Sequence, residues 1–235
     1  MSKNKIAFVC TDCGTEHGQW QGQCASCKAW NTLSQINLGN AGSSSPVTKA
    51  DFRKQGYSGE KSNVQNLSDI DLEALPRFSS TIDEMDRVLG GGLVPGSAIL
   101  IGGNPGAGKS TLLLQIMCLL ADSRKPALYV TGEESLQQVG MRAKRLNLPE
   151  KNLKMLAETN VEAICKAAQE HRPQLLVVDS IQVMHSGDVA SAPGSVSQVR
   201  ECAAYLIQYA KQTNTVLFLV GHVTKEGNLA GPKVL

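Results

Sequence analysis

The sequence predicts an α/β protein: a mostly parallel β-sheet with helices on both faces, preceded by a small four-cysteine module. Three observations lead to this prediction. Short apolar runs suited to buried strands alternate with longer segments suited to helices along most of the chain. A glycine-rich loop separates one of these strands from the helix that follows it. Two Cys-x₂-Cys pairs stand close together near the N-terminus.

Length and composition agree with this organisation. A chain of 235 residues can hold one α/β domain and a small accessory module. Its hydrophobic fraction of 42% supports a core, and an aromatic fraction of only 4% indicates a core built from Leu, Val, Ile and Ala. The formal net charge of +2 neither requires nor excludes a nucleic-acid partner.

Location is predicted from what the chain lacks and from its cysteines. The apolar stretch 6–9 is too short for a signal peptide, and no apolar run reaches the length of a membrane span. Cys118, Cys165 and Cys202 lie in apolar helical patterns, where buried thiols are usual. These features predict a cytoplasmic protein without membrane contact.

We divide the chain into three regions: a zinc-binding module at 1–36, a flexible linker at 37–66 and the α/β core at 67–235. The linker is rich in Gly, Ser, Asn, Gln and Lys, a composition typical of flexible tethers. In the core we expect strands at 77–80, 98–101, 127–131, 153–156, 175–179 and 215–221. We expect helices at 81–89, 112–117, 135–146, 161–170 and 199–212, the first ended by the glycines 90–92.

The glycine-rich loop has the pattern Gly-x-x-x-x-Gly-Lys-Ser, with an apolar strand before it and a helix after it. Such a loop turns its N–H groups towards phosphates, and the helix N-terminus adds a favourable dipole. Lys109 would reach the β- and γ-phosphates and Ser110 would bind Mg²⁺. We therefore predict a nucleoside triphosphate site. Its binding residues are Gly103, Asn104, Pro105, Gly106, Ala107, Gly108, Lys109, Ser110, Thr111 and Asp179.

Polar residues at the ends of three other strands complete the predicted site. Asp179 ends the buried run 175–178 and is expected to support Mg²⁺ beside Ser110. Glu133 or Glu134 would polarise the attacking water; we favour Glu133, although helix capping also explains acidic residues there. His222 ends another strand and would sense the γ-phosphate, although a lone histidine at such a position is also commonly structural. The predicted catalytic residues are thus Lys109, Glu133 and His222.

The two cysteine pairs, Cys10 with Cys13 and Cys24 with Cys27, are separated by ten residues. Four thiolates on two tight turns suit tetrahedral, structural Zn²⁺. Disulfides, a redox Cys-x-x-Cys and a rubredoxin-type iron centre are alternatives. We interpret His17 as a surface residue rather than a ligand.

With so little other core in the module, we also expect three aromatic side chains to cover the metal site: Phe8, Trp20 and Trp30.

The cysteine pairs, the linker and the strings GGNPGAGKSTLLLQ, YVTGEES, LLVVDSIQ and FLVGHVTKEGNLAGPKVL together resemble the RadA (Sms) family of bacterial DNA repair ATPases. This family belongs to the RecA-like P-loop group, and the likeness extends over essentially the whole chain. It implies an ATP-driven, DNA-dependent motor, similar to DnaB-type helicases, that promotes branch migration. The implied cofactors are ATP or ADP, Mg²⁺ and Zn²⁺. The implied partners are single-stranded and branched DNA, the RecA recombinase and further copies of the chain in a ring, expected to be a hexamer.

The resemblance also assigns residues. It gives Glu133 the place of the catalytic glutamate and His222 that of the sensor. It places Lys225 towards DNA or a neighbouring subunit, and makes 185–198 a mobile DNA-contacting loop. Family members carry a Lys-Asn-Arg-Phe-Gly motif and a Lon-like domain further on, so we expect this sequence to be the N-terminal portion of a longer protein.

Two other functions fit the same motifs. A RecA-like signalling ATPase of the KaiC type shares the Thr-x-Glu-Glu-Ser style of string and acts on protein partners. A docking protein could instead use the nucleotide only as a switch. DNA-stimulated hydrolysis distinguishes the motor from the first, and blocked hydrolysis in Glu133→Gln distinguishes it from the second.

Overall fold

The structure is a computed structural model, and it describes residues 6–10, 15–37, 66 and 76–222. Within these ranges it contains two separate sheets, one of three strands and one of five. Cys13, almost all of the predicted linker, and Lys225 lie outside the described residues.

The larger sheet is parallel throughout and has the strand order β4-β8-β7-β5-β6. Its strands are β4 (Ala98–Gly103), β5 (Ala127–Thr131), β6 (Lys154–Ala157), β7 (Leu175–Asp179) and β8 (Val216–His222). The helices are α1 (Asp83–Val88), α2 (Lys109–Asp122), α3 (Leu136–Arg145), α4 (Val161–His171) and α5 (Val196–Thr213). The predicted α/β fold is confirmed.

Apolar side chains cover both faces of this sheet. On one face Tyr129 and Val177 pack with residues of α2 and α3. On the other face Leu128 and Val178 pack with residues of α4 and α5. Alternate residues of the buried strands therefore supply two different cores, as expected for a parallel sheet between two layers of helices.

Local signals in the sequence define several helix ends. The Ser135 side chain accepts from the Gln138 amide while the Gln138 side chain accepts from the Ser135 amide, a capping box that begins α3. Asn160 and Ser195 cap α4 and α5 by a single contact each, because their side chains accept from the Ala163 and Gln198 amides. Each of these three residues directly precedes the helix that it caps.

One predicted element is wrong. The segment 77–80 forms no strand, and only Phe78 makes an isolated bridge, to Leu93. Ser79 and Ser80 instead donate to the Asp86 carboxylate of α1, from a side-chain hydroxyl and a backbone amide respectively. Because these hydrogen bonds hold the segment against a helix, it does not extend along a strand.

The smaller sheet is antiparallel, with β1 (Ile6–Cys10) between β2 (Glu16–His17) and β3 (Leu33–Asn37). It brings together the segments that carry the N-terminal cysteines. None of the helices in the described part of the chain combines the length and apolar character that a bilayer crossing requires.

Candidate nucleotide site and metal module

The predicted nucleotide residues meet at one edge of the larger sheet. Parallel strands place their carboxyl ends together, and the register pairs Gly103 with His222 and Thr131 with Asp179. The glycine-rich loop, the Glu133 segment and the ends of β7 and β8 therefore border the same space.

The loop between β4 and α2 has the backbone that phosphate binding requires. Gly106 and Gly108 have φ angles of 81° and 89°, a conformation that side-chain-bearing residues rarely adopt. Gly108 directly precedes α2, so the amides of the loop and of the first helical turn are presented together. Residues 104–108 are exposed, so an incoming phosphate can reach these amides.

Lys109 lies beneath this loop, with only 8% of its surface exposed. Its Nζ donates to the carbonyl oxygens of Gly103 at 2.8 Å and Asn104 at 3.0 Å. It also lies 3.4 Å from Nδ1 of His222. The ammonium group is thus held between the phosphate loop and the end of β8.

His222 connects Lys109 to Glu133. Its Nε2 is 3.1 Å from Glu133 Oε1, on the side of the ring opposite Lys109. An ammonium group can only donate, so Nδ1 accepts from Lys109. A neutral ring then carries its proton on Nε2 and donates it to the Glu133 carboxylate. The histidine therefore links two predicted catalytic groups through one ring.

Neighbouring contacts distinguish the two adjacent glutamates. Glu133 accepts a hydrogen bond from the Ser180 hydroxyl, and its side chain is 39% exposed at the sheet edge. Glu134 instead pairs with Arg142 of α3. One carboxylate faces the nucleotide residues, whereas the other binds the first helix after it.

Gly132 permits this arrangement through a close approach. A Cβ at this position would lie 2.6 Å from Val183 Cγ2 and 2.8 Å from Met184 Cε. The Gly132 amide donates to the Asp179 carbonyl at 2.8 Å. The turn that carries Glu133 is therefore held against the segment following β7.

Asp179 lies at the end of β7 and is 9% exposed. Its Oδ2 accepts a hydrogen bond of 2.6 Å from the Tyr129 hydroxyl. A carboxylate at this edge, together with the half-buried Ser110 that begins α2, is an oxygen donor set of the kind that Mg²⁺ prefers. The residues therefore fit the predicted cation.

The loop between β7 and α5 is anchored by a buried glutamine. Gln198 is 2% exposed, accepts from the Ser186 amide and donates to the carbonyls of Val189 and Ser191. The exposed positions of this loop include 187, 188 and 192–194. The end of the predicted DNA loop, from Val196 onwards, belongs to α5.

In the N-terminal module the ligand atoms of Cys10, Cys24 and Cys27 all lie within 4.8 Å of one another. The sulfurs of Cys10 and Cys27 are 3.6 Å apart, too far for a disulfide bond of about 2.05 Å. Three converging sulfurs suit a thiophilic metal such as Zn²⁺. The predicted fourth ligand, Cys13, lies outside the described residues.

Two expectations for this module need correction. His17 is half-buried, and its Nε2 lies 3.4 Å from the Cys24 sulfur, so it belongs to the surroundings of the site. Trp20 and Trp30 do not cover the metal site, because they are 59% and 71% exposed. Phe8 alone of the three aromatic residues packs against the buried cysteines.

Sequence reasoning missed the residues that hold the predicted site in place: Tyr129, Arg142, Ser180 and Gln198. Ser180 had a signal, because it directly follows Asp179 in the strand-ending string. The other three had none. The partner of Tyr129 is 50 residues away, and those of Arg142 and Gln198, although only 8 and 9 residues away, match no local motif.

Two regions of the chain match known protein families. Residues 66–228 match the AAA domain family, and residues 8–35 match the rubredoxin metal binding domain. The second match contains the three clustered cysteines, so the N-terminal module is a metal-binding module.

The chain is also similar to proteins named DNA repair protein RadA. It is 61% identical over 233 residues to the proteins of Salmonella typhimurium and Escherichia coli, in both cases over 98% of this chain. It is 45% identical over 238 residues to that of Bacillus subtilis, over 100% of this chain. The chain spans about half the length (50%) of these curated relatives. They confirm the resemblance to the RadA family indicated by the motifs.

Proposed function

Because this chain belongs to the AAA domain family over residues 66–228, we propose that it binds ATP and hydrolyses it in the service of DNA repair. One observation carries the proposal. Lys109, His222 and Glu133 form a continuous chain of contacts beside an exposed glycine-rich loop. A cation, a polarisable ring and a carboxylate then lie in sequence beside the predicted phosphate loop.

Binding of the triphosphate uses the loop and its lysine. Amides of the loop and of the first turn of α2 donate to phosphate oxygens, and Lys109 supplies positive charge. Ser110 and Asp179 would hold Mg²⁺, which when bound neutralises charge on the β- and γ-phosphates. The carbonyl oxygens of Gly103 and Asn104 keep the lysine beneath the loop.

Hydrolysis uses Glu133 as the base. Its carboxylate is oriented by the Ser180 hydroxyl and by His222, so that it can polarise a water aimed at the γ-phosphate. Loss of the γ-phosphate changes the charge beside Lys109. Since Lys109 also contacts His222, that change reaches the end of β8. This contact supports the sensor role of His222.

The test is a matched pair of substitutions at adjacent positions. Glu133→Gln removes the base and should lower ATP turnover by roughly 10²- to 10⁴-fold, with nucleotide binding retained. Glu134→Gln removes only the pairing with Arg142 and should leave turnover within a few-fold of the parent. Turnover is measured as phosphate release, and binding with a fluorescent ATP analogue.

Three results would contradict the assignment of Glu133 as the base. Normal turnover in Glu133→Gln would exclude it as the base. A large loss confined to Glu134→Gln would transfer the role to its neighbour, whose contact with Arg142 would then be catalytic. An equal loss of nucleotide binding in both variants would mean that the segment is structural.

We extend the proposal to DNA because the relatives are named DNA repair proteins. The exposed part of the loop anchored by Gln198 supports it, with Arg200 exposed just beyond. Steady-state hydrolysis with and without single-stranded DNA at low salt is the direct measurement, because phosphate contacts weaken as salt rises. Stimulation supports a DNA-coupled ATPase. Unchanged turnover with ATP bound would remove DNA as the activator of this chain.

The most specific form of the proposal is a ring-shaped motor that promotes branch migration together with the RecA recombinase. It rests on the family resemblance, and the organisation of a RecA-like site at the carboxyl edge of a parallel sheet supports it. Branch migration of a synthetic four-way junction, measured with and without RecA, tests it directly. A protein that hydrolyses ATP but never moves the junction would contradict the motor.

A further inference from the structure

Tyr129 places a single polar atom at the boundary between core and site. Its side chain is 1% exposed and packs among the apolar residues between the sheet and helices α2 and α3. Its hydroxyl donates to Oδ2 of Asp179 at 2.6 Å. The ring is thus fixed by the core, while the hydroxyl contacts the carboxylate proposed to support the cation.

The direction of this hydrogen bond follows from the two groups. A carboxylate has only acceptor oxygens, so the phenol is the donor and Oδ2 is the acceptor. The phenol therefore engages Oδ2 and leaves Oδ1 as the oxygen that can turn towards the cation and its water shell.

The geometry points to Tyr129 as the positioning residue that orients the Asp179 carboxylate for the divalent cation. This inference rests on the proposed function, because it concerns how that site holds Mg²⁺. Groups around a metal that orient its carboxylate and histidine ligands commonly change metal affinity by about 10- to 100-fold when removed. A rigid ring in a core fixes such a donor better than a mobile surface side chain would.

The strand register explains why this residue can act on this carboxylate. β5 and β7 are neighbours, and Tyr129 pairs with Val177, two positions before Asp179. Residues two apart on a strand lie on the same face of a sheet. The phenol therefore starts level with Val177 and extends along the sheet towards its carboxyl edge.

The test compares two conservative substitutions of buried tyrosines. Tyr129→Phe removes the hydroxyl at the site. Tyr209→Phe removes one from a similarly buried ring, 2% exposed, that packs in the core on the other face of the sheet. The affinity for a fluorescent ATP analogue is measured at increasing Mg²⁺ concentrations and again in excess EDTA. Thermal unfolding of each protein is recorded as a control for stability.

We expect Tyr129→Phe to raise the Mg²⁺ concentration at which binding of the ATP analogue is half-maximally enhanced by roughly tenfold or more. Its affinity for the analogue in EDTA should stay within twofold of the parent, because the phosphate loop is unchanged. Tyr209→Phe should leave both quantities unchanged. A second variant, Asp179→Glu, keeps the charge and the phenol but moves the carboxylate oxygens, and it should also raise the Mg²⁺ requirement.

Three results would overturn the inference. One is an unchanged Mg²⁺ requirement in Tyr129→Phe, and another is an unchanged requirement in Asp179→Glu. The third is an equal loss of affinity with and without Mg²⁺, which would indicate a purely structural phenol. The parent protein separates these results from failure of the proposed function: if it binds no analogue with Mg²⁺ or EDTA, the nucleotide proposal itself is wrong.

Discussion

The two sheets of this protein are stabilised in different ways. Among the residues whose burial the structure describes, the core of the three-stranded module consists of two cysteines and Leu33, with Phe8 packed against them. The five-stranded sheet has an apolar core on each face. A small module with so few apolar contacts needs another source of stability, and converging sulfurs supply it through a metal. Folding of the module should therefore require its metal, whereas folding of the core should not.

Removing the metal should have the largest effect. Structural zinc in small modules contributes roughly 10–16 kcal/mol of apparent binding energy, so a chelator should unfold the module. Both tryptophans of the chain, Trp20 and Trp30, lie in it, so tryptophan anisotropy reports on the module alone. All helices in the described ranges lie in the core, so far-ultraviolet circular dichroism reports on the core.

We expect a strong chelator to lower the anisotropy and leave the helical signal in place. Re-addition of Zn²⁺ should restore the anisotropy, and elemental analysis of the untreated protein separates zinc from iron. Simultaneous loss of the helical signal would show that the two regions fold as one unit.

A cavity in the core should have the next largest effect. It should destabilise the core and leave metal binding by the module unchanged. Phe218 is fully buried in β8, and Phe218→Ala should lower the free energy of unfolding by about 3–5 kcal/mol. Urea titration followed by circular dichroism measures the loss. Phe78→Ala is the control, because that ring is only partly buried at the margin of the same core and should cost less.

In the Phe218→Ala protein, the metal dependence of the tryptophan anisotropy should match that of the parent. Weaker metal binding in this variant would mean that the core contributes to the stability of the module. That result would contradict the independent folding of the two regions.

The smallest effect should come from substituting His17, which should weaken metal binding by the module. A metal-bound thiolate can only accept, so His17 donates from Nε2 to the Cys24 sulfur, and His17→Ala should lower metal affinity by roughly tenfold. Competition with a coloured chelator measures the affinity. His171→Ala is the control, because that histidine lies in α4 and contacts Lys154 instead. Equal affinities in both variants would show that the contact with sulfur contributes nothing.

Local patterns predicted the elements well wherever signals are contained within a few residues. The strands 127–131 and 175–179 have the predicted bounds, and α3 lies between its caps at Ser135 and Leu146. Helix α2 is longer than expected, because it begins directly at Lys109. The segment 77–80 failed as a strand because its hydrogen bonds go to Asp86, a partner that no local pattern identifies.

The candidate site likewise contains residues that local patterns predict and contacts that depend on the fold. Spacing alone predicted the phosphate loop, Asp179, His222 and the pair of glutamates as site residues, because strand ends and glycine patterns are local features. The contacts of Glu133 with Ser180 and of Glu134 with Arg142 required the fold, since 47 and 8 residues separate the partners. The role of Glu133 as base remains a prediction that these contacts support.

The α/β class, the glycine-rich loop and the grouping of the cysteines follow from residue type and short spacing, so they can be read from the amino-acid sequence. The contact of Lys109 with His222, the hydrogen bond from Tyr129 to Asp179 and the exposure of both tryptophans depend on the tertiary structure. They depend on it because the order of the strands determines which distant side chains meet. β4, β5, β7 and β8 are separated along the chain, yet they end at one edge, and the chemistry of the site is assembled there.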